Sequence, residues 1–356
     1  RMPVKSVEEA KTVVDKLCSY VKKSDFGAWK NNVLMIADDG NNGIHMKQAQ
    51  DVISNNQTYG GSNFVMNRLY LDAFTEQSLG SGRTFPEARK MFFQKLDEGV
   101  LVLDFIGHSS GVTWTHEALL TNTDINALYL KHLPMMYTAS CEFTRLDALV
   151  QSGGETFFLN GRGGAIALMT AARQVTINDN GLLNSCVASY MFRKDSAGKY
   201  YRLGDILKNG KNKLTTGDKG YSMSNSNKLR FFLVGDPAMR LAYPTYNVKL
   251  ESINGIAVSA DNMPTFKARQ TLVVKGSIYK STGEKATDFN GAVTPTLYDA
   301  EESVETHGYG DGIKYVYQDR SNKLTVAKDS VTKGDFSVKI VIPSEIASHT
   351  SFENYS

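Results

Sequence analysis

From Ser6 to about Tyr243, short apolar runs alternate with stretches of helical periodicity, and beyond that point the helical periodicity stops. No other feature restricts the fold as strongly. Runs of strand length separated by helices describe a mostly parallel sheet, because parallel neighbours need a crossover and the crossover helices cover both faces. The expected strands are Asn32–Ala37, Asn67–Tyr70, Leu101–Ile106, Pro134–Ala139, Gly164–Thr170 and Phe231–Val234. Helices are expected at Val7–Lys22, His45–Asn55, Pro86–Asp97, Asp124–Ala127, Gly153–Asn160 and Asn180–Phe192. Ser6 and Glu9 have capping-box spacing, and Pro86 suits the first turn of its helix, where a missing N–H costs nothing.

After Gly235-Asp236-Pro237, which reads as a turn that ends a strand, the period changes to two. Segments such as Tyr246–Ser252, Gln270–Ile278, Ala292–Tyr298, Ile313–Tyr317, Leu324–Ala327 and Asp335–Ile342 are separated by Asn-Gly, Thr-Gly, Asp-Gly and Lys-Gly turns. The expectation is an α/β domain over residues 1–243, then an immunoglobulin-like β-sandwich over 244–356 that is truncated at its end.

A chain of 356 residues has the length for two such domains. Its net charge of +3 with 22% charged residues gives no basic stripe, so no nucleic-acid partner is expected. Apolar runs such as Val100–Ile106 and Ala165–Ala172 fall short of the roughly 18 residues that span a bilayer. The chain opens at Arg1-Met2-Pro3 without a signal-type region and is expected to be a piece of a longer protein. Three scattered cysteines, Cys18, Cys141 and Cys186, make a poor disulfide framework. Cys18 and Cys186 lie in helical stretches and are expected to be small buried hydrophobes.

Cys141 breaks that pattern. It follows the run Leu133–Ala139, and His108 holds the equivalent place after Val100–Ile106, 33 positions earlier. In a parallel sheet both would emerge at one edge. A cysteine nucleophile needs a base that makes the thiolate and donors for the oxyanion. Ser109-Ser110-Gly111 is a turn of small residues that lets backbone approach a carbonyl closely, so the N–H groups of Ser109 and Cys141 are the candidate oxyanion donors.

These residues resemble the gingipain family of cysteine peptidases: Gly107-His108 followed by small residues, then Leu133-Pro134 and Ser140-Cys141 one strand later. The likeness spans nearly the whole chain, through Trp29, the run Val33 to Gly40 and the closing Phe232-Leu233-Val234-Gly235-Asp236-Pro237. It implies a caspase-like catalytic domain with an immunoglobulin-like domain behind it, and no required cofactor. Within the family, Gly107-His108, Trp114-Thr115-His116-Glu117 and Asp39-Gly40…His45-Met46 look most like the surface sortases of the bacterial type IX secretion system. That branch implies cleavage of C-terminal sorting signals, transpeptidation to a lipopolysaccharide amine, an outer-membrane barrel as anchor, and the extracellular face of a Gram-negative cell. A degradative gingipain-like protease and a non-catalytic surface scaffold remain alternatives. One departure is visible: the family commonly has Gly directly after the catalytic His, and this chain has Ser109.

The resemblance also places an acidic residue of the Asp38-Asp39 region against the histidine, where a carboxylate would fix its tautomer. Asp38, Asp39, Asn41 and Asn42 could equally offer hard oxygens to calcium. His116 and Trp114 are candidates to line a substrate cleft, as are Thr170 and Ala171, whose small size predicts a pocket without fixed charge. His45 has no second ligand within metal spacing and reads as structural.

Overall fold

The computed structural model describes residues 1–22, 26–80, 82–215, 225–259 and 264–346. It divides into two compact units, one formed by Arg1–Tyr243 with Glu305–Val316, the other by Pro244–Val304 and the chain from Tyr317 onward. The division after Tyr243 is accompanied by a feature no periodicity announces: residues 305–316 leave the second unit's chain and pack within the first.

The first unit is built on a six-stranded sheet. Its strands are β1 (Asn32–Ala37), β2 (Val65–Tyr70), β3 (Val102–Ile106), β4 (Met135–Ala139), β5 (Ala167–Ala171) and β6 (Phe231–Val234). They lie in the order β6-β5-β4-β3-β1-β2, all parallel except β6, which pairs antiparallel with β5. Every residue of β3, β4 and β5 is buried, which is why these strands read as unbroken apolar runs rather than alternations.

Eight helices accompany the sheet among the described residues: α1 (Val7–Lys22), α2 (Ile44–Asn56), α3 (Pro86–Glu98), α4 (Asn122–Ala127), α5 (Gly153–Leu159), α6 (Ile177–Met191), α7 (Leu203–Thr215) and α8 (Asn225–Arg230). Side chains from α1, α3, α4 and α5 share one core with Leu34, Ile36, Leu103, Phe105, Met136 and Leu168, alternate residues of their strands. Between the other helices, α6 packs on both α2 and α7, and its Asn184 donates to the buried Asp104 of β3 at 2.7 Å.

Two helices, α7 and α8, escape the sequence pattern. Asn209-Gly210 resembles a hairpin turn, yet Gly210 lies inside α7 because a Cβ there would come within 2.6 Å of Val187 on α6. Cys186 is buried as expected, whereas Cys18 is exposed on the outer side of α1.

The second unit is antiparallel β. Its main sheet runs Ile256–Ala257, Tyr246–Ile253, Thr271–Lys280, Asp335–Val341, Asp329–Thr332, Gly291–Val293. Strict in-out alternation along Asp335–Val341 places Phe336, Val338 and Ile340 in its core. The expected strand Ala292–Tyr298 is two strands, Gly291–Val293 and Thr296–Tyr298, because Pro295 between them has no N–H for a ladder. The expected strand at Ile313 begins instead at Val316, since the residues before it belong to the inserted segment.

Trp114, an expected cleft residue, is a core residue. It is fully buried, stacked on Phe105 at 4.4 Å between ring centroids, with Phe143 at 5.4 Å. Trp114→Ala should therefore lower unfolding stability by about 3–5 kcal/mol, measured by chemical denaturation; an unchanged midpoint would place the indole outside the core.

Candidate active site

Register puts the two strand ends together. Ile106 of β3 lies opposite Ala139 of β4, so His108 and Cys141, each two residues further on, leave the sheet at the same height. The ladder carries one step past the strands, with Gly107 N donating to Ala139 O at 3.3 Å. Gly107 must lack a Cβ: one built there would stand 2.5 Å from Asp38 Cβ and 2.9 Å from the Phe105 ring. That space lets Asp38, at the end of β1, turn its carboxylate under the next residue, where Oδ2 accepts the backbone N–H of His108 at 2.9 Å.

The departure at Ser109 has a structural use. Its hydroxyl lies 2.7 Å from Ser140 Oγ and also bonds the carbonyl oxygen of Cys141, while Ser140 Oγ lies 2.6 Å from Thr138 Oγ1. A hydroxyl chain thus ties the two strand ends, which glycine could not do. Among the described residues nothing accepts the N–H of Ser109 or of Cys141. Glu142, directly after the cysteine, adopts φ 28°, a conformation rare for a residue with a side chain.

Three side chains surround the His108 ring. Asn41 Nδ2 lies 2.7 Å from Nε2. His116, exposed, stacks on one side with centroids 5.3 Å apart, and His45, buried, meets the ring edge-on at 5.3 Å. Burial, with His108 as second cause, pushes His45 down to about 4, so it stays neutral beside His108. Burial also holds His108 below the usual imidazole range, helped by His116 and opposed by Glu117. Asn41 Nδ2 lies 3.4 Å from His45 Nε2 as well. His116, expected to line a cleft, lies against His108, and so does His45, which reads as structural in the sequence.

The cysteine side differs from expectation. Half-buried Cys141 approaches the carbonyl of Val175, Sγ to O 3.6 Å. Thr170 and Ala171 are completely buried, Thr170 bonding Thr144 at 2.9 Å; as the last residues of β5 they face the interior and line no cleft. The groups beside Cys141 come instead from the loops beyond β4 and β5. Arg173 pairs both oxygens of Asp147 at 3.0 and 2.7 Å, and Arg145 bridges Asp147 and Glu142. Position one loop beyond the strand end was the available signal, and the small residues at that end obscured it.

Neither Asp38 nor Asp39 reaches the imidazole. Asp38 spends Oδ2 on the His108 backbone and Oδ1 on Asp39 N at 3.1 Å. Asp39 pairs with Arg83 at 3.3 Å, and Arg83 also binds Glu76 at 3.0 Å and Glu117 at 2.9 Å. Of the two asparagines foreseen beside them, Asn41 places Nδ2 against the histidines and Asn42 donates its backbone N–H to Asp311. Asp38, Asp39 and Glu117 do converge, with oxygens within 4.8 Å, and the Arg83 guanidinium supplies positive charge to two of them. Burial pushes Asp38 well above the carboxylate range and Asp39 up to about 6, the latter against the pull of Arg83. Removing Arg83 raises Asp39 further, and a carboxyl whose folded pKa is raised loses stability as pH climbs from its unfolded pKa to its folded one. Arg83→Met should thus be more destabilising at pH 8 than at pH 5, by thermal melting; an equal loss at both would exclude this charge balance.

Residues 1–242 match the family model described as Peptidase family C25. No curated protein matches the chain. Among solved structures, the Arg-specific cysteine proteinase gingipain R (RGPB) is similar at 15% identity and a TM-score of 0.53, covering 95% of this chain and 73% of that one. The complex of Porphyromonas gingivalis RgpB pro- and mature domains gives 15% identity and a TM-score of 0.52, with 96% and 69% covered. Dimeric latent PorU from Porphyromonas gingivalis gives 12% identity and a TM-score of 0.30, with 90% and 40% covered. The two RgpB structures share the fold of this chain, and with the family model spanning its whole α/β unit, the chain belongs to peptidase family C25.

Proposed function

We propose that this cysteine peptidase works through a Cys141–His108 dyad and a thioester intermediate, and that it acts as a sortase on C-terminal signals of exported proteins. One observation carries the dyad: the matched register of β3 and β4, which brings His108 and Cys141 out of the sheet side by side. The Cys141 thiolate attacks a peptide carbonyl, and the N–H groups of Ser109 and Cys141 receive the oxyanion. His108 gives its proton to the leaving amine as the thioester forms. Water or an incoming amine then resolves the thioester.

For the choice of substrate, the charge beside Cys141 is the useful clue. Glu142 and Asp147 are both paired with arginines, so neither of these two carboxylates is left for a basic side chain, as a trypsin-like preference would require. That favours the signal-cleaving reading over a degradative one. Signal-bearing exported proteins are then the substrates, a surface glycolipid amine the acceptor, an outer-membrane barrel the anchor, and the outer face of a Gram-negative cell the location. The antiparallel unit takes the place of the immunoglobulin-like domain of such enzymes.

The decisive experiment labels the protein with an iodoacetamide probe and maps adducts by mass spectrometry. Cys141 should react fast in the wild type and at least ~10-fold slower in His108→Ala. Cys186 should stay silent, since burial pushes its thiol up to about 11. With C-terminal signal peptides and glycinamide, the amide-joined product should exceed the hydrolysed one. Labelling of Cys141 at equal rates in both proteins would refute the dyad, and hydrolysis alone would refute the sortase.

A further inference from the structure

The turn that follows β1 is conformationally expensive. Gly40, Asn41, Asn42 and Gly43 all have positive φ, at 70°, 53°, 59° and 67°, and the turn closes through Gly43 N to Gly40 O at 3.1 Å. Glycine enters this region freely, and asparagine is among the few side-chain residues that tolerate it. Strained backbone of this kind persists only where surrounding structure holds it. Here the holder is Asp311, whose carboxylate accepts the N–H of Asn42 from the segment inserted between the strands of the second unit. The turn places the Asn41 carboxamide on His108 Nε2 at 2.7 Å, with His45 Nε2 further off at 3.4 Å.

We propose that Asn41 orients the catalytic imidazole, in the position where a carboxylate was expected, and that the left-handed turn exists to aim it. The proposal rests on the dyad reading above. Nδ1 can take the Cys141 proton only when the neutral ring carries its hydrogen on Nε2, so in the working state a half-turn of the carboxamide at this contact presents Oδ1, which accepts that N–H before and after Nδ1 is protonated. One neutral residue thereby serves both protonation states of the ring. The neighbouring carboxylates are committed elsewhere, Asp38 to the His108 backbone and Asp39 to Arg83.

The groups facing His108 are Asn41 and Asp38 from the turn after β1, His45 from α2, and His116 and Glu117 from the loop beyond Trp114, while Cys141 leaves the end of β4 at the same height. No carboxylate touches the ring, Glu117 acting on it only through space, so replacing the Asn41 amide by an acid brings a negative charge into direct contact with it.

Iodoacetate tests this directly. It carboxymethylates the thiolate, forming C–S and breaking C–I with loss of iodide, and its own negative charge makes the rate fall when the imidazolium loses its proton. Asn41→Gly keeps the left-handed turn and removes the amide; its maximal rate at Cys141 should fall at least ~10-fold. Asn41→Asp should restore most of that rate and move the falling limb of the pH profile upward by about 1 unit or more. The aspartate variant keeps the test decisive if the glycine variant melts early. A wild-type rate and profile in Asn41→Gly, or an unmoved limb in Asn41→Asp, would overturn the role of Asn41. His108→Ala reacting at the wild-type rate would overturn the dyad reading, and this proposal with it.

Discussion

Everything at the candidate site depends on the pairing of β3 with β4. Parallel strands with Ile106 opposite Ala139 deliver His108 and Cys141 to one edge at one height, and a slip by one residue would turn each side chain to the opposite face. The register is secured on both sides of the sheet by complete burial of the two strands. It is secured beyond the sheet by the Gly107 ladder bond and by the hydroxyl of Ser109, which reaches Ser140 and the Cys141 carbonyl. The candidate site therefore sits on loops a few residues long, anchored on rigid strands.

Charge in the site is arranged around one imidazole. Asp38 contributes through the backbone of His108, and Arg83 pairs with Glu117 and with Asp39, whose carboxyl it pulls down against the push of burial. His45 is kept neutral by burial and by His108 itself. His45 thus adds no second charge on its side of His108, whose other face His116 covers. The inserted segment reaches this arrangement through Asp311 and through Asp72, whose carboxylate accepts the N–H groups of Gly308 and Tyr309 at 2.8 and 2.7 Å.

The sheet was legible in the sequence because its strands are buried on both faces, and Asn32–Ala37 and Phe231–Val234 were read at their observed limits. The positions of His108 and Cys141 followed from the same pattern, since strand ends are where apolar runs stop. Less accessible was anything set by loop conformation. Asp38 and Asp39 looked like orienting acids, because spacing along the chain does not reveal that the turn after them swings Asn41 inward and Asp39 toward Arg83. Thr170 and Ala171 looked like pocket residues because they end a strand, yet that strand end is covered by Thr144 and by the chain around Arg230. Trp114 offered no periodicity to mark it as core. Residues 305–316 could not be assigned to the first unit either, since contacts so distant in sequence leave no local pattern.

The central claim is that the edge formed by β3 and β4 performs acyl transfer. It is tested most directly by a crystal structure of the protein with a peptide aldehyde. The account predicts a hemithioacetal on Cys141 Sγ, its oxygen within hydrogen-bond reach of the N–H groups of Ser109 and Cys141, and the peptide running over the edge beside His108 and His116. An aldehyde bound elsewhere, or an adduct oxygen turned away from both N–H groups, would contradict it.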